Sequence, residues 1–265
     1  MFIQLNFFSQ YLDMNTAVTV LLPDPASGTP EGRFDPAARY PTVYLLHGAQ
    51  SDHTAFTRFT HVERYAQKYG FAVVMPEGQN SYYADMAHGP AFFSYLSKEL
   101  PAAMEAVFPL SPRRADRFAS GYSMGGRGAF LLALTCPDRF CAAASLSGSL
   151  DTDALIEKAR RPGEEAFYRR LSDVFGDLSR VHGGRWDVCA LMKKRAANPD
   201  ALPQLYLTCG LQDSRYETQH LPFVALCQTL GVPVVHDSAP GGHDFDFWDG
   251  ALLRAFSFFA NTRKA

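Results

Sequence analysis

At 265 residues, 47% hydrophobic and 20% charged, the chain carries enough apolar side chain for a full core, and its length suits one large α/β domain better than two small ones. A net charge of −2 without any block of like charges excludes an electrostatic footprint for nucleic acid, and no apolar run is long enough to span a bilayer. The five cysteines (Cys136, Cys141, Cys189, Cys209, Cys227) are odd in number and lack metal-ligand spacing, which fits reduced core thiols in a cytoplasmic protein without a metal site.

In chain order, Met1 to Phe8 is apolar and precedes the first basic residue, Arg33, so it lacks the charged start of a secretory signal and reads as a first strand. Thr16 to Leu22 follows as a β-rich run, and the pair suggests an antiparallel start to a sheet. Pro23 to Pro41, with five prolines and two glycines, predicts a long surface loop. Thr42 to Leu46 is a continuous apolar run ending in His47-Gly48-Ala49, as expected of a strand buried on both faces.

From there strands alternate with helices. A helical stretch over Thr60 to Tyr69 leads to a strand at Phe71 to Pro76, and a long helical pattern from Phe93 to Phe108 leads to a strand at Arg117 to Ser120. After a helix-like segment at Arg127 to Leu134 come strands at Phe140 to Gly148 and Gln204 to Gly210. A helix near Tyr216 to Leu230, a short strand at Val232 to His236 and a closing helix from about Phe245 to Ala260 complete the pattern. Such alternation predicts a mostly parallel sheet with helices on both faces. Between Asp151 and Leu202 the rhythm breaks into a charged helical stretch, Glu157 to Arg170, and a turn at Gly183-Gly184. The expected organisation is a single domain over 1–265 with a helical insertion at about 151–202, placed where lid and pocket segments attach.

The chemistry is organised around Gly121-Tyr122-Ser123-Met124-Gly125-Gly126. A serine between glycines where a strand turns sharply into a helix is the nucleophile-elbow pattern. The turn leaves no room for side chains two positions to either side, and the helix that follows aims N–H groups at the serine. A serine nucleophile needs a base within hydrogen-bond reach and a third group to hold that base. Among the downstream histidines, His182 falls in the insertion, His220 in a helix and His236 in a strand. His243, in Pro240-Gly241-Gly242-His243-Asp244, lies in a loop just past the last strand, the edge where parallel sheets carry function. Asp213 follows the strand ending at Gly210 on the same edge and is the expected acid, with Asp151 as the fallback. Asp237 lies too near the end of the last strand, and Asp244 suits a cap on the closing helix. The N–H groups of Met124 and of Ala49, or in its place Gln50, are expected to hold an oxyanion, with His47 bracing the loop.

His47-Gly48, Ser81-Tyr82-Tyr83-Ala84-Asp85-Met86, Glu99-Leu100-Pro101, the elbow, Ser145-Leu146-Ser147-Gly148 and Gly241-Gly242-His243-Asp244 together resemble the esterase D-like family of α/β hydrolases, nearest to its tributyrin esterase and acetyl esterase branch. The resemblance spans nearly the whole chain. It implies the α/β-hydrolase fold, Ser123, Asp213 and His243 as nucleophile, acid and base, no cofactor, and a small-molecule ester as substrate. The family also includes S-formylglutathione hydrolases, feruloyl esterases and mycolyl transferases. Against the first, the loop after His47-Gly48 lacks a cysteine-bearing segment; against the last, a secretory signal is missing. Arg127 stands where the family more often has an aromatic residue or histidine. Tyr82, Tyr83 and Met86, with Gln50 and Trp248, are expected to wall a pocket for acetyl to butyryl groups. A homo-oligomer is compatible with the sequence.

Overall fold

The computed structural model describes residues 1–24 and 37–264, so most of the loop predicted over 23–41 lies outside the described residues. An antiparallel hairpin, β1 (Phe2–Ser9) and β2 (Met14–Leu21), opens one edge of an eight-stranded sheet. The remaining strands are β3 (Thr42–Leu46), β4 (Ala72–Pro76), β5 (Arg117–Tyr122), β6 (Ala142–Leu146), β7 (Gln204–Gly210) and β8 (Val235–Ala239). Their order is β1-β2-β4-β3-β5-β6-β7-β8, parallel from β4 through β8. The central strands are apolar throughout because both faces are covered. Val43, Leu45 and Phe118 meet one core; Tyr44, Leu46 and Ala119 meet the other.

On the first of these faces lie α1 (Ala55–Phe59), α2 (Val62–Tyr69) and, at the end of the chain, a long helix over 245–264. The opposite face is covered by helical segments in chain order. The first is α3 (Phe92–Ser94), which continues through a π turn (Tyr95–Glu99) into α4 (Leu100–Val107). Next come α5 (Met124–Thr135), then α6 (Thr152–Ala159), α7 (Glu165–Phe175) and α8 (Val188–Arg195). A second π turn (Tyr216–His220) leads into α9 (Leu221–Thr229), and the closing helix is α10 (Phe245–Lys264). Both π turns precede a proline, Pro101 and Pro222, whose missing N–H breaks the ladder four residues back. The carbonyl of Ser97, released in this way, accepts a bond from Arg139.

Two expectations need correction. The last strand runs over 235–239, three residues later than predicted, since Pro233 has no N–H for a ladder and Val232 N–H turns back to the Cys227 carbonyl at 2.9 Å. Asp237 therefore sits within β8, opposite Thr208. The charged stretch over 157–170 is likewise not one helix: α6 ends at Ala159 and α7 begins at Glu165, either side of Gly163 with φ +86°. No helix among the described residues is long and apolar enough to cross a membrane.

Candidate active site

β5 delivers Ser123 at the centre of the sheet. Its backbone is at φ 54°, ψ −117°, outside the ordinary regions for a residue with a side chain, and such strain costs of order 1–3 kcal/mol. The flanking glycines explain how the turn closes. A Cβ on Gly121 would stand 2.4 Å from the Leu46 carbonyl oxygen, and one on Gly125 only 2.0 Å from the same atom. β3 and the first turn of α5 thus approach backbone to backbone, and the serine is thrust out above them. Its own backbone is fully engaged: Ser123 N–H donates to Leu146 O at 2.9 Å, while Ser123 O accepts from Arg127 N–H at 3.2 Å and Ser149 N–H at 3.3 Å.

The loops after β7 and β8 meet over this serine. Gly210 lies so close to Gly241 that a Cβ would sit 2.2 Å from its carbonyl oxygen, which draws the two loops together. His243 Nε2 is 3.0 Å from Ser123 Oγ, and His243 Nδ1 is 2.6 Å from Asp213 Oδ2. The Asp213 side chain is 1% exposed, and that of His243 28%. Burial alone would push the Asp213 carboxyl up; the bond to His243, the Arg215 N–H at 3.0 Å and the charges of both residues override it and hold the group well below the usual carboxylate range. Arg215 Nη1 stands 3.4 Å from Asp213 Oδ1. On the other side the Cys209 thiol is pushed up to about 12, first by burial and then by the Asp213 charge.

The competing carboxylates are occupied elsewhere. Asp151 caps α6 through the N–H groups of Asp153 and Ala154. Asp237 accepts from Tyr206 Oη at 2.7 Å and pairs with Arg254 Nε at 2.6 Å. Asp244 accepts from Phe247 N–H at the start of α10. Of the other histidines, His182 pairs with Asp153 on the surface, His236 stacks on Tyr216, and His220 is fully buried with Nε2 3.2 Å from Gly148 O.

The two N–H groups expected to hold an oxyanion lie on separate elements. Met124 opens α5, so its N–H has no partner within the helix. Gln50 sits at φ 61° and its N–H is taken by Asn80 Oδ1 at 2.7 Å; the N–H of Ala49, just before it, has no acceptor among the described residues. His47 is buried with Nδ1 2.7 Å from Gly48 O and Nε2 2.9 Å from Gly78 N. Both ring nitrogens are thus engaged with the backbone of two loops, with Glu77 Oε1 3.5 Å from Nε2, and the ring serves as a brace under the loop.

The expected pocket residues divide. Tyr82 and Tyr83 both adopt positive φ (51° and 55°), costly for aromatic side chains. Tyr83 proves to be a prop and not a wall: it is 1% exposed, wedged beneath Gly128, and its hydroxyl donates to His47 O at 2.9 Å. Tyr82 reaches toward the insertion, with its ring 5.9 Å from that of Phe175. Met86 lines a hollow of about 290 Å³ with Phe175, Val181 and Trp186. Trp248 belongs to the core, stacked on Tyr122 at 4.4 Å and edge-on to His243 at 4.8 Å, so it holds the imidazole from behind. The residue that sequence reasoning left open is Arg127, which is fully buried; a single cation in a helix otherwise apolar all round was the available signal.

Against this geometry, the comparisons agree with one another. The chain is 30% identical over 267 residues to the acetyl esterase of Caldicellulosiruptor saccharolyticus, covering 98% of each protein. Among solved structures it is similar to the Staphylococcus aureus fluorophosphonate-binding serine hydrolase F, determined with substrate bound, at 33% identity, 98% coverage of both chains and a TM-score of 0.87. It is also similar to the Staphylococcus aureus S-formylglutathione hydrolase, at 33% identity, 98% coverage of both chains and a TM-score of 0.85. The Esterase family, described as "Putative esterase", matches residues 9–259, from the end of β1 into α10 and across every element that carries the serine, the aspartate and the histidine. An α/β-hydrolase sheet with these loops on one edge, matched over almost its whole length, makes the chain a member of the Esterase family.

Proposed function

We propose that this esterase is a serine carboxylesterase for short acyl esters, working through an acyl-enzyme on Ser123, His243 and Asp213. The observation that carries the reading is the unbroken line from Asp213 Oδ2 to His243 at 2.6 Å and from His243 Nε2 to Ser123 Oγ at 3.0 Å. Ser123 Oγ attacks the ester carbonyl carbon as its proton passes to His243 Nε2, with Asp213 holding the ring in the required tautomer. The carbonyl oxygen, now negative, is received by the N–H groups of Met124 and Ala49, each donor of this kind being worth about 2.7–4 kcal/mol to the transition state. His243 then returns the proton to the leaving alcohol as the C–O bond breaks. Water repeats the sequence and frees the acid.

Substrate preference is proposed as acetyl to butyryl, supported by the acetyl esterase relative and by the Tyr82 and Phe175 rings that meet at 5.9 Å between the Tyr82 loop and α7. Each methylene that fits gains about 0.8 kcal/mol by burial, whereas one that meets a wall loses it. A series of p-nitrophenyl esters tests this: kcat/KM should peak at or below about four acyl carbons, and activity that keeps climbing through decanoyl would refute it. Ser123→Ala should lose turnover and labelling by a serine-directed organophosphate, and a label landing elsewhere would overturn the assignment. The S-formylglutathione hydrolase neighbour, 33% identical, supports a second reading in which the same residues cleave a thioester; matched acetyl ester and acetyl thioester substrates separate the two. A cytoplasmic setting is proposed from the five unpaired thiols, and cell fractionation tests it.

A further inference from the structure

α5 is lined by apolar side chains and glycines from Met124 to Leu134 except at Arg127, four residues after Ser123 and 0% exposed. A guanidinium taken out of water is costly unless its donors are used, and here most are. Nη1 donates to Ser149 O at 3.0 Å; Nη2 donates to Thr152 Oγ1 at 3.1 Å and to Trp186 O at 2.5 Å. The guanidinium carbon lies 5.9 Å from the centre of the Phe175 ring. Among the described residues it makes no ion pair: Asp187 and Asp151 act on it from a distance, and both carboxylates are spent on capping α8 and α6.

These four contacts are not scattered. Ser149 lies just before the 151–202 excursion and Thr152 at its start, Phe175 ends its second helix, and Trp186 leads into its third. The far end is tied separately, by Arg195 to the Leu134 and Thr135 carbonyls at the end of α5 (2.7 and 3.0 Å). The end of α7 is also held to the loop after Tyr82 by Ala87 N–H to Val174 O and His88 N–H to Asp173 O, both 2.9 Å; Arg127 adds the link from the elbow helix, facing the ring that stands against Tyr82.

We propose that Arg127 determines acyl-chain specificity by pinning the near end of this excursion to the elbow helix, so that Phe175 and Tyr82 are held as the distal wall of the cleft. The proposal rests on Ser123 being the nucleophile. Without the guanidinium, the carbonyls of Ser149 and Trp186 lose their donor, water must replace it, and the wall recedes. Shortening the reach should act in the same direction as removing the charge, because lysine cannot bridge three acceptors on separate segments.

Arg127→Met, similar in length and apolar, should raise the hexanoyl-to-acetyl ratio of kcat/KM by about tenfold, the scale on which a pocket reads one or two methylenes. The acetyl loss should appear mainly in KM, with Arg127→Lys between the two. Backbone amides over 152–187 should exchange with deuterium faster in the full-length variant, while those of β5 and β6 stay protected. Thr152→Val, which deletes only one neutral acceptor, should give a smaller change in the same two readouts and serves if Arg127→Met does not fold. A folded Arg127→Met with the wild-type chain-length profile and wild-type exchange over 152–187 overturns the proposal, as does a Thr152→Val unchanged in both. Deuterium exchange needs no turnover, so a wild type that no organophosphate labels would sink the esterase reading and leave the pin to be decided by exchange alone.

Discussion

His220 offers a sharp test of how burial couples this fold to pH. The ring is fully enclosed beside the loop after β6, with Nε2 at 3.2 Å from Gly148 O and Nδ1 without a partner among the described residues. Burial lowers it from 6.5 to about 4, against opposing pulls from the bond to Gly148 O and from the Asp213 carboxylate. Above pH 6.5 the folded and unfolded chains both leave the ring neutral, and nothing is lost. Between 6.5 and 4 only the unfolded chain takes the proton, so stability falls as pH falls; below that window both states are protonated and the loss, about 3 kcal/mol in all, is complete. Between roughly pH 7.5 and 5 the share due to His220 works out to about 2 kcal/mol. Urea unfolding of wild type and His220→Gln at both pH values measures it: the variant should lose about 2 kcal/mol less over that interval, since its amide cannot titrate. Parallel losses in the two proteins would refute the reasoning and mean that the ring can be solvated in place.

Other expectations follow from the same geometry. Asp213→Asn should lower kcat by about 10⁴-fold through the wrong imidazole tautomer, whereas Asp151→Ala should cost only the cap of α6, about 1 kcal/mol of stability; activity assays beside thermal melts distinguish them. Gly125→Ala should abolish activity or folding, because its Cβ would lie 2.0 Å from the Leu46 carbonyl, and a variant retaining wild-type turnover would mean that the elbow can relax. Tyr83→Phe removes the bond to His47 O while keeping the ring under Gly128. It should lower kcat more than it raises KM if the loop carrying Ala49 is loosened, and an unchanged kcat would show that the ring alone holds it.

Much of the fold was legible because burial on both faces writes itself into sequence. The runs Thr42–Leu46 and Gln204–Gly210 are strands to the residue, and no other element type suits so short an apolar stretch between breakers. β8 was misplaced for the opposite reason: it is an edge strand with no fully buried residue, and the apolar letters just before it belong to the turn around Pro233. The serine, histidine and aspartate that converge were all readable from their positions after β5, β8 and β7. What surrounds them was not, because two consecutive aromatic residues at positive φ (Tyr82 at 51°, Tyr83 at 55°) reverse the faces that alternation would assign. Tyr83 consequently goes under the loop after β3, and Met86 lines a hollow with Phe175 and Trp186.

The strain at Ser123 is kept by over-determination. A residue at φ 54° would ordinarily relax, yet its N–H is held by β6 through Leu146 O and its carbonyl by both Arg127 N–H and Ser149 N–H. Relaxing the turn would break those bonds and part the Leu46 carbonyl from Gly121 and Gly125, at a cost larger than the about 1–3 kcal/mol of strain. The same residue, Arg127, gives its N–H to the strained serine and its guanidinium to the excursion. On the proposed reading, the position of the nucleophile and that of the distal wall are set from one turn of one helix, which would couple where the ester is attacked to how long its acyl chain can be.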